Sequence, residues 1–434
     1  MRIPYTKHVL DNGLQVLVHE DRNCPIAAVN LWYHVGSKNE RPGHTGFAHL
    51  FEHLMFEGSQ HYDRGYFQPL QEAGGTLNGS TNADRTNYWE VVPSNTLELA
   101  LWMESDRMGY LLPALTEAKF ATQRDVVLNE RRQNYENRPY GMAAMAILAA
   151  LYPPDHPYHW STIGEVPDLH AATLAQAHEF FRAYYHPGNA SLVIAGDVDT
   201  EATLALVRAY FGGIPPGPPV AAVGAAAPAD REVRLVLEDR VELPRLYLNW
   251  HSPAMFSHGD AEMDLLSDLL ANGKTSRLYR QLVYERQAAT DVAAMQNSRE
   301  LCGFFQVIAT PVPGVGLGEL EEAISGEIDR IIDSGPLESE IERSRAQVEA
   351  NFVYRLQTVG GFGGKSDQLN AYNVFLGDPD YFDRDLAQYL RIGCADLQAA
   401  ASRYLSRARR VTLSVVPAGR PDLAVADSLP VEVS

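Results

Sequence analysis

Cysteine is scarce in this chain, with three residues among 434. Cys24, Cys302 and Cys394 lie far apart in sequence, and none belongs to a C-x-x-C pair. Closely spaced cysteines would indicate a disulfide framework or a thiolate zinc site. The sequence therefore excludes both, and we expect the three side chains to be small buried apolar groups.

Basic residues and long apolar runs are also few. The chain has 36 Lys and Arg against 55 Asp and Glu, a formal charge of −19, which argues against a nucleic-acid backbone as the partner. Cationic peptides would suit such a chain, although acidic surfaces commonly serve only solubility. No apolar run could cross a bilayer, and the first residues lack the apolar core of a secretory signal. We expect a cytoplasmic protein, or a periplasmic one from which a signal was removed.

The stretch from Gly43 to Gly58 carries the strongest chemical signal. Its apolar residues recur at steps of three and four, which predicts a helix that buries one face. His49 and His53 then lie one turn apart on the same side, with Glu52 beside them. Two such imidazoles can bind one zinc ion, and the carboxylate can take a proton from water, in the H-x-x-E-H order of the inverzincins. The alternative is that both histidines are ordinary helix residues.

Zinc needs a third protein ligand, and Glu130 is the best candidate. It lies in a long helical pattern from Thr116 to Asn137, directly after the apolar run Val126–Leu128. We expect that run to draw the helix towards the core, and the carboxylate with it. Without the histidine motif, the better interpretation of Glu130 would be a residue on a solvated helix face.

Further stretches match one known family, and together they run through nearly the whole chain. The chain resembles the pitrilysin/insulinase family of zinc peptidases, in the branch of short two-domain chains that includes mitochondrial processing peptidase and its bacterial relatives. The resemblance implies that Glu130 is the third zinc ligand. The matching stretches are Leu10–Leu14, Val35–Ser37, the H-x-x-E-H helix, Asn78–Tyr88, the Glu130 helix, Tyr184–Asn189 and Ala195–Asp199.

The resemblance also implies the architecture. It indicates an α+β fold with two homologous, α/β-sandwich-like domains, each a mostly antiparallel sheet packed with helices, which form half of a clam-shell around a chamber. A Pro/Ala-rich linker at residues 214–233 separates a zinc-binding domain, residues 1–213, from a homologous domain, residues 234–434. The helix predicted at Ala261–Leu270, in the place of the zinc helix, contains no histidine. We expect one metal site per chain.

The resemblance places the peptide substrate beside an edge strand that contains Asn78 and Gly79. Period-two patterns predict strands near Thr76–Thr81 and Thr86–Val92. An added strand binds through backbone groups, which would let the site accept varied peptides, and Asn78 could bind the carbonyl next to the cleaved bond. A plain hairpin is the alternative. The family often has an acidic residue seven positions before the glutamate ligand, where it helps to orient that ligand, and this chain has Gln123 at that position.

Active relatives carry an arginine followed by a tyrosine in the second half, which bind substrate and stabilise the oxyanion. In the corresponding register this chain has Val283 and Thr290. Loss of oxyanion donors typically costs a hundredfold or more in rate. We therefore expect a heterodimer, in which a homologous subunit supplies the arginine and tyrosine. If the register differs, Tyr279, Tyr284 or Arg286 could replace the pair within this chain.

Other features carry weaker signals. The run Gly360–Ser366 fails the phosphate-loop pattern, because glycine is missing at Val359 and the preceding segment is helical, so it indicates a flexible interhelical loop. The rival functions are a non-catalytic scaffold of this fold and a self-sufficient homodimeric peptidase. Several histidines outside the ligand spacing are interpreted as loop or capping residues: His44, His156, His159 and His186.

Overall fold

A computed structural model describes residues 2–225 and 231–433. The chain forms two compact units, each built around a six-stranded sheet packed with helices. The first unit comprises Met1–Asn129, Ser161–Gly224 and Asn351–Arg384, and the second comprises Glu130–Trp160, Ala225–Ala350 and Asp385–Ser434. The predicted α+β class is confirmed.

The regular elements follow the chain in this order. The strands are β1 (Thr6–Val9), β2 (Gln15–Glu20), β3 (Ile26–Tyr33), β4 (Thr76–Thr81), β5 (Thr86–Pro93), β6 (Ala190–Gly196), β7 (Val233–Asp239), β8 (Arg245–Ser252), β9 (Ala289–Asn297), β10 (Gly303–Pro311), β11 (Arg410–Pro417) and β12 (Leu429–Pro430). The helices are α1 (Phe47–Leu54), α2 (Phe67–Glu72), α3 (Leu97–Ala114), α4 (Glu117–Arg131), α5 (Ala143–Leu151), α6 (Val166–Ala171), α7 (Leu174–Tyr184), α8 (Thr200–Phe211), α9 (Asp260–Ala271), α10 (Leu317–Ser334), α11 (Glu338–Arg355), α12 (Lys365–Leu376), α13 (Phe382–Arg391) and α14 (Cys394–Tyr404). Two π-helical turns lie at Arg132–Glu136 and Tyr279–Glu285.

The two sheets share one plan. Their strand orders are β1-β2-β6-β3-β5-β4 and β12-β7-β11-β8-β10-β9. Most neighbours are antiparallel, but β2 runs parallel to β6, and β7 runs parallel to β11 at the corresponding place. The sheets differ at one edge, where β12 is parallel to β7 and β1 is antiparallel to β2. In each sheet a helix, α1 or α9, follows the strand in the fourth position. This correspondence fits an internal duplication in which α9, without histidine, takes the place of α1.

A buried arginine ties α3 to the first sheet. The Arg107 guanidinium lies 4.1 Å from the ring centroids of both Tyr66 and Tyr88. It forms ion pairs with Glu104 and Glu90, and all three side chains are almost completely buried. Burial, and then repulsion from Glu104, raises the pKa of Glu90 well above its usual range. The buried cluster therefore disfavours charge on Glu90, although the cation of Arg107 opposes this shift.

The units exchange segments of the chain. Helix α12 follows the second sheet in sequence but packs on β3 and β6 of the first. Its Asp367 carboxylate accepts hydrogen bonds of 3.0 Å from the Trp32 Nε1 and 3.3 Å from the Asn87 side chain. Helix α5 conversely packs on β11 and β8 of the second sheet. The predicted division at residues 214–233 stays a prediction, and its residues 226–230 lie outside the described residues.

Three smaller observations complete the description. The expectation of three buried cysteines is wrong, because Cys24 is exposed on the turn before β3, and Cys302 and Cys394 are only half-buried. The run Gly360–Ser366 joins α11 to α12, as predicted, and Gly360 lies directly against Val91 and Ala28 of the first sheet. Within the described chain, no helix has the length and apolarity that a membrane span requires.

His156 is buried among aromatic rings of the second unit. Its ring stacks on Tyr152 with centroids 4.6 Å apart, and its Nδ1 accepts a 3.0 Å hydrogen bond from the Tyr158 backbone N–H. Its Nε2 lies 3.7 Å from the Cys302 Sγ. Burial lowers the pKa of His156 to about 4, and the nearby charge of Asp155 opposes this shift only in part. The folded protein therefore holds this imidazole neutral.

This burial makes the protein sensitive to acid. The unfolded chain binds a proton at His156 near the ordinary pKa of about 6.5, whereas the folded chain binds it only near pH 4. Stability that depends on the neutral ring is thus complete above pH ~6.5 and is lost as the pH falls from there to about 4. We expect His156→Asn, which keeps an acceptor for the Tyr158 N–H, to reduce this acid-induced loss by up to about 3 kcal/mol in urea unfolding. His170→Asn, at an exposed position, is the control, and equal pH profiles for wild type and His156→Asn would contradict the prediction.

Candidate metal centre

Helix α1 presents the two histidines of the motif. It runs from Phe47 to Leu54 and is thus shorter than the predicted stretch, because Gly46 in the left-handed region starts it and a turn follows its end. The apolar residues of the motif are buried, as the three- and four-residue spacing predicts. His49 and His53 are half-buried one turn apart, and their rings meet edge-on with centroids 4.9 Å apart.

Two carboxylates from other segments fix the start of α1. The Glu40 side chain accepts hydrogen bonds from the Gly46 N–H, at 2.9 Å, and the Ala48 N–H, at 2.8 Å. Asp168 accepts from the Thr45 N–H at 3.0 Å and from the Thr45 hydroxyl at 2.8 Å. Amides at a helix start have no partner within the helix, and negative charge is favourable there. These carboxylates therefore set the position and direction of the short helix that bears both histidines.

Helix α4 brings Glu130 to the histidine pair. The nitrogen atoms of His49 and His53 and a carboxylate oxygen of Glu130 all lie within 4.8 Å of one another. The predicted helix is confirmed, and it continues through the π-helical turn to Glu136. Of the apolar run before Glu130, Val127 and Leu128 are buried and Val126 is exposed. The Asn134 side chain donates a 3.3 Å hydrogen bond to Glu130 Oε1 and so restrains the carboxylate.

The geometry of this cluster suits a metal ion. Zinc binds histidine nitrogen and carboxylate oxygen at about 2.1 Å, so tetrahedral ligand atoms lie roughly 3.4 Å apart. The observed spread of up to 4.8 Å closes to that value with small side-chain rotations. Two imidazoles and one carboxylate make three protein ligands, which is the number typical of catalytic zinc sites and leaves a place for water. Among the described residues, this is the only group of three or more His, Cys, Asp or Glu side chains with such geometry.

Family models match both halves of the chain. A model described as Insulinase (Peptidase family M16) matches residues 15–156, and one described as Peptidase M16 inactive domain matches residues 171–348. The chain belongs to the pitrilysin/insulinase peptidase family. The resemblance found in the sequence is thereby confirmed, and the inactive-domain match agrees with the lack of histidine in α9.

Insulinase-family relatives cover almost the whole chain. Zinc protease PqqE of Helicobacter pylori is 29% identical over 415 residues, 94% of this chain and 92% of that protein. An uncharacterized zinc protease of Streptomyces coelicolor is 25% identical over 94% of this chain and 88% of its own. The crystal structure of a protease from Helicobacter pylori has a TM-score of 0.87 at 27% identity and covers 95% of this chain and 100% of that chain. A peptidase M16 inactive domain from Pseudomonas fluorescens, 18% identical, covers 99% and 100% with a TM-score of 0.84 and shows the shared fold.

Glu52 lies on α1 directly before His53 and is half-buried. Its charge acts on Arg85: burial lowers the pKa of Arg85, and the negative charges of Asp367 and Glu52 oppose that shift. Arg85 is held by a 2.8 Å hydrogen bond to the Ser80 carbonyl oxygen and lies over the Trp32 ring. The positive charge of Arg85 therefore lies near Glu52, the candidate base. Motif spacing did not identify Arg85, because its position depends on the loop between β4 and β5.

The predicted substrate strand is an edge strand. β4 pairs with β5 on one side only, with Asn78 opposite Trp89. The Asn78 side chain is exposed, whereas Gly79 is buried, and a Cβ at Gly79 would lie 3.1 Å from Tyr88 and 3.2 Å from Phe56. Glycine therefore lets β4 approach the residues under α1 closely. Substrate binding by Asn78 and Gly79 stays a prediction.

The remaining predicted residues lie as follows. Gln123 donates a 2.5 Å hydrogen bond to Glu57 Oε1, which joins α4 to the segment after α1, and its effect on the metal ligands stays a prediction. Val283 packs against the core of the second unit, and the Thr290 hydroxyl donates to the Thr310 carbonyl oxygen at 3.2 Å. Neither residue offers the donors of the arginine and tyrosine found in active relatives. Tyr284, one of the alternatives, is 75% exposed.

The carboxylate at the start of α1 provides a test of this arrangement. Glu40→Ala removes two hydrogen bonds from the helix amides, so the histidine pair loses its fixed direction. We expect zinc affinity to fall about tenfold, the scale typical of groups that orient metal ligands. Competition with a chromogenic chelator measures the affinity. Glu179→Ala, which removes an exposed charge on α7, is the control, and unchanged affinity in Glu40→Ala would show that the cap has no role in the site.

Proposed function

We propose that this chain is a zinc-dependent endopeptidase subunit, which hydrolyses peptides or unfolded segments bound in extended form in an enclosed chamber. The observation that carries the proposal is the cluster of His49, His53 and Glu130 within 4.8 Å, with Glu52 on the same helix as both histidines. His49, His53 and Glu130 would hold one zinc ion per chain. Zinc there supplies Lewis acidity, which acidifies water and polarises the carbonyl group under attack.

The chain's own residues perform the proton transfers. Glu52 accepts the proton of the attacking water and later delivers it to the amine that leaves. Its place on α1, three residues after His49, keeps the carboxylate on the side of the helix that bears the ligands. Half-burial limits access of bulk water to the carboxylate, and the cation of Arg85 lies near it.

The exposed edge of β4 supports a mode of substrate binding. Its unpaired backbone N–H and C=O groups can add a peptide as a further strand. A strand added in this way needs an extended chain, so short or unfolded peptides would be preferred to folded proteins. Because the contacts are backbone contacts, they place little demand on the peptide's sequence.

The replaced pair at Val283 and Thr290 supports a shared active site. In this proposal a homologous subunit supplies the arginine and tyrosine, which stabilise the oxyanion, and the two chains form a heterodimer. A homodimer that is active alone is the alternative.

Substitution of the proposed base tests the catalytic assignment. Glu52→Gln keeps the shape of the side chain but cannot accept a proton, so we expect hydrolysis of a quenched-fluorescent peptide library to fall at least about a hundredfold. Zinc content, measured by atomic absorption, should remain one per chain. Glu201→Gln, at an exposed position on α8, is the matched control. Appreciable hydrolysis by Glu52→Gln would refute the assigned base, and an absence of bound zinc in the wild type would favour a scaffold.

Mixing of subunits tests the shared site. We expect the zinc-loaded chain alone to hydrolyse the library slowly, and addition of a homologous subunit that carries the arginine and tyrosine to raise the rate about a hundredfold or more. Replacement of that arginine in the added subunit should remove the gain. Full activity of this chain by itself would instead support the homodimer.

A further inference from the structure

The second unit contains a cleft next to the Glu130 ligand that the proposed mechanism does not use. Its volume is about 500 Å³, and it lies between the π-helical turn Arg132–Glu136, the loop that follows this turn, and strand β8. We name it the arginine cleft. It is lined by Asn134, Tyr135, Arg138, Tyr140, Arg245 and Tyr247.

The two arginines of the cleft have no acidic partner. Among residues 2–225 and 231–433, neither Arg138 nor Arg245 forms an ion pair, whereas Arg234 on the neighbouring strand β7 pairs with Glu232 and Glu321. Arg245 is held in place, because its guanidinium stacks 3.8 Å from the Tyr140 ring centroid and its Nε donates a 2.9 Å hydrogen bond to the Thr310 hydroxyl. One of its N–H groups also interacts with the Tyr247 hydroxyl, and a guanidinium, with five N–H donors, keeps others for a further group.

The chemistry of the lining selects a carboxylate. A guanidinium presents parallel N–H groups that match the two oxygens of a carboxylate, and such charge-assisted pairs are stronger than neutral hydrogen bonds. Burial raises the pKa of Tyr140, and the negative charges of Asp291, Asp239 and Glu242 raise it further. The Asp239 carboxylate also accepts a hydrogen bond from the Tyr140 backbone N–H. Far from the cleft, the negative charges of these acids offset the positive charges of the arginines. The cleft is therefore a local site with directional N–H donors, and it is not part of a broad basic surface.

The cleft lies within reach of a peptide at the metal ligands. Asn134 lines the cleft and also donates to Glu130 Oε1 at 3.3 Å. The helical segment continues from Glu130 to Glu136, which corresponds to roughly 9 Å, and Arg138 follows two residues later. An extended peptide spans that distance with about three residues. A group bound in the cleft would therefore belong to the substrate, close to the cleaved bond.

We propose that the arginine cleft binds a carboxylate of the peptide substrate, about three residues from the cleaved bond. The inference rests on the proposed peptidase function and names a determinant of its substrate selectivity. The carboxylate comes either from the peptide's own C terminus or from an Asp or Glu side chain, since both present the same two oxygens. The acidic surface was expected to suit cationic peptides. In this proposal that surface and the arginine cleft contact different residues of the substrate.

Binding to an inactive variant tests the proposal without hydrolysis. The full-length Glu52→Gln chain is titrated against fluorescein-labelled peptides of one sequence, and anisotropy gives each Kd. One pair has a free or an amidated C terminus, and a series carries Glu or Gln at each internal position. We expect one change, either the amidation or a single Glu-to-Gln exchange, to raise Kd about tenfold. Which change does so identifies the source of the carboxylate.

The same peptides distinguish the cleft from other cations. In Arg245→Gln and Arg138→Gln we expect the carboxylate and neutral peptides to bind within about twofold of each other, while Arg391→Gln, at an exposed position at the end of α13, keeps the tenfold difference. Arg138 is exposed and forms no side-chain hydrogen bond or ion pair with a described residue, so its variant decides the outcome if Arg245→Gln unfolds. Two results would overturn this inference without affecting the proposed function. One is equal binding of all peptides to the parent chain, and the other is a tenfold difference that persists in both cleft variants. Failure of every peptide to bind overturns the proposed function with it.

Discussion

The candidate site depends on a constraint that no single element can satisfy: its three candidate ligands lie on two helices, of which α1 ends at Leu54 and α4 begins only at Glu117. The spacing of His49 and His53 follows from helix periodicity, but α1 has eight residues, too few to be stable alone. Its position is set by the Glu40 and Asp168 carboxylates at its start and by its buried apolar face. Helix α4 must then pack at the correct depth to bring Glu130 within 4.8 Å of the pair. Tertiary packing, more than local propensity, makes the cluster.

Carboxylates serve different purposes in this acidic chain, and their surroundings decide which. Glu40 accepts from helix amides, Glu90 and Glu104 share a buried arginine, and Glu130 is restrained by Asn134. Each of these groups has a defined donor. Glu52 lies three residues after His49 on α1, and the cation of Arg85 is nearby, in the loop between β4 and β5. Its place on the helix that bears both histidines is the physical reason to propose it for proton transfer.

Local periodicity explains how much of the molecule could be predicted from its sequence. The strand Thr76–Thr81 was predicted with the bounds of β4, and the helix with the histidines was predicted with its buried face. The helix follows a short repeat of apolar residues, whereas the strand overlaps the stretch Asn78–Tyr88 that resembles the family. The exchange of α12 and α5 between units, the burial of Arg107 and the exposure of Cys24 could not be predicted in this way. They depend on contacts between residues far apart in sequence. Glu40 left one faint signal, an acidic residue shortly before a helix that lacks a capping side chain of its own.

An open strand edge and an unpaired arginine act on substrate choice in complementary ways. The edge of β4 binds backbone, which every peptide shares, and therefore contributes affinity without selectivity. Selectivity then has to come from side-chain contacts beside the site. In a chain with a charge of −19, acidic partners are abundant, yet Arg245 is fixed by a ring and a hydroxyl and forms no ion pair with any described residue. A carboxylate that arrives with the substrate would give this half-buried guanidinium the direct ion pair that no described residue supplies.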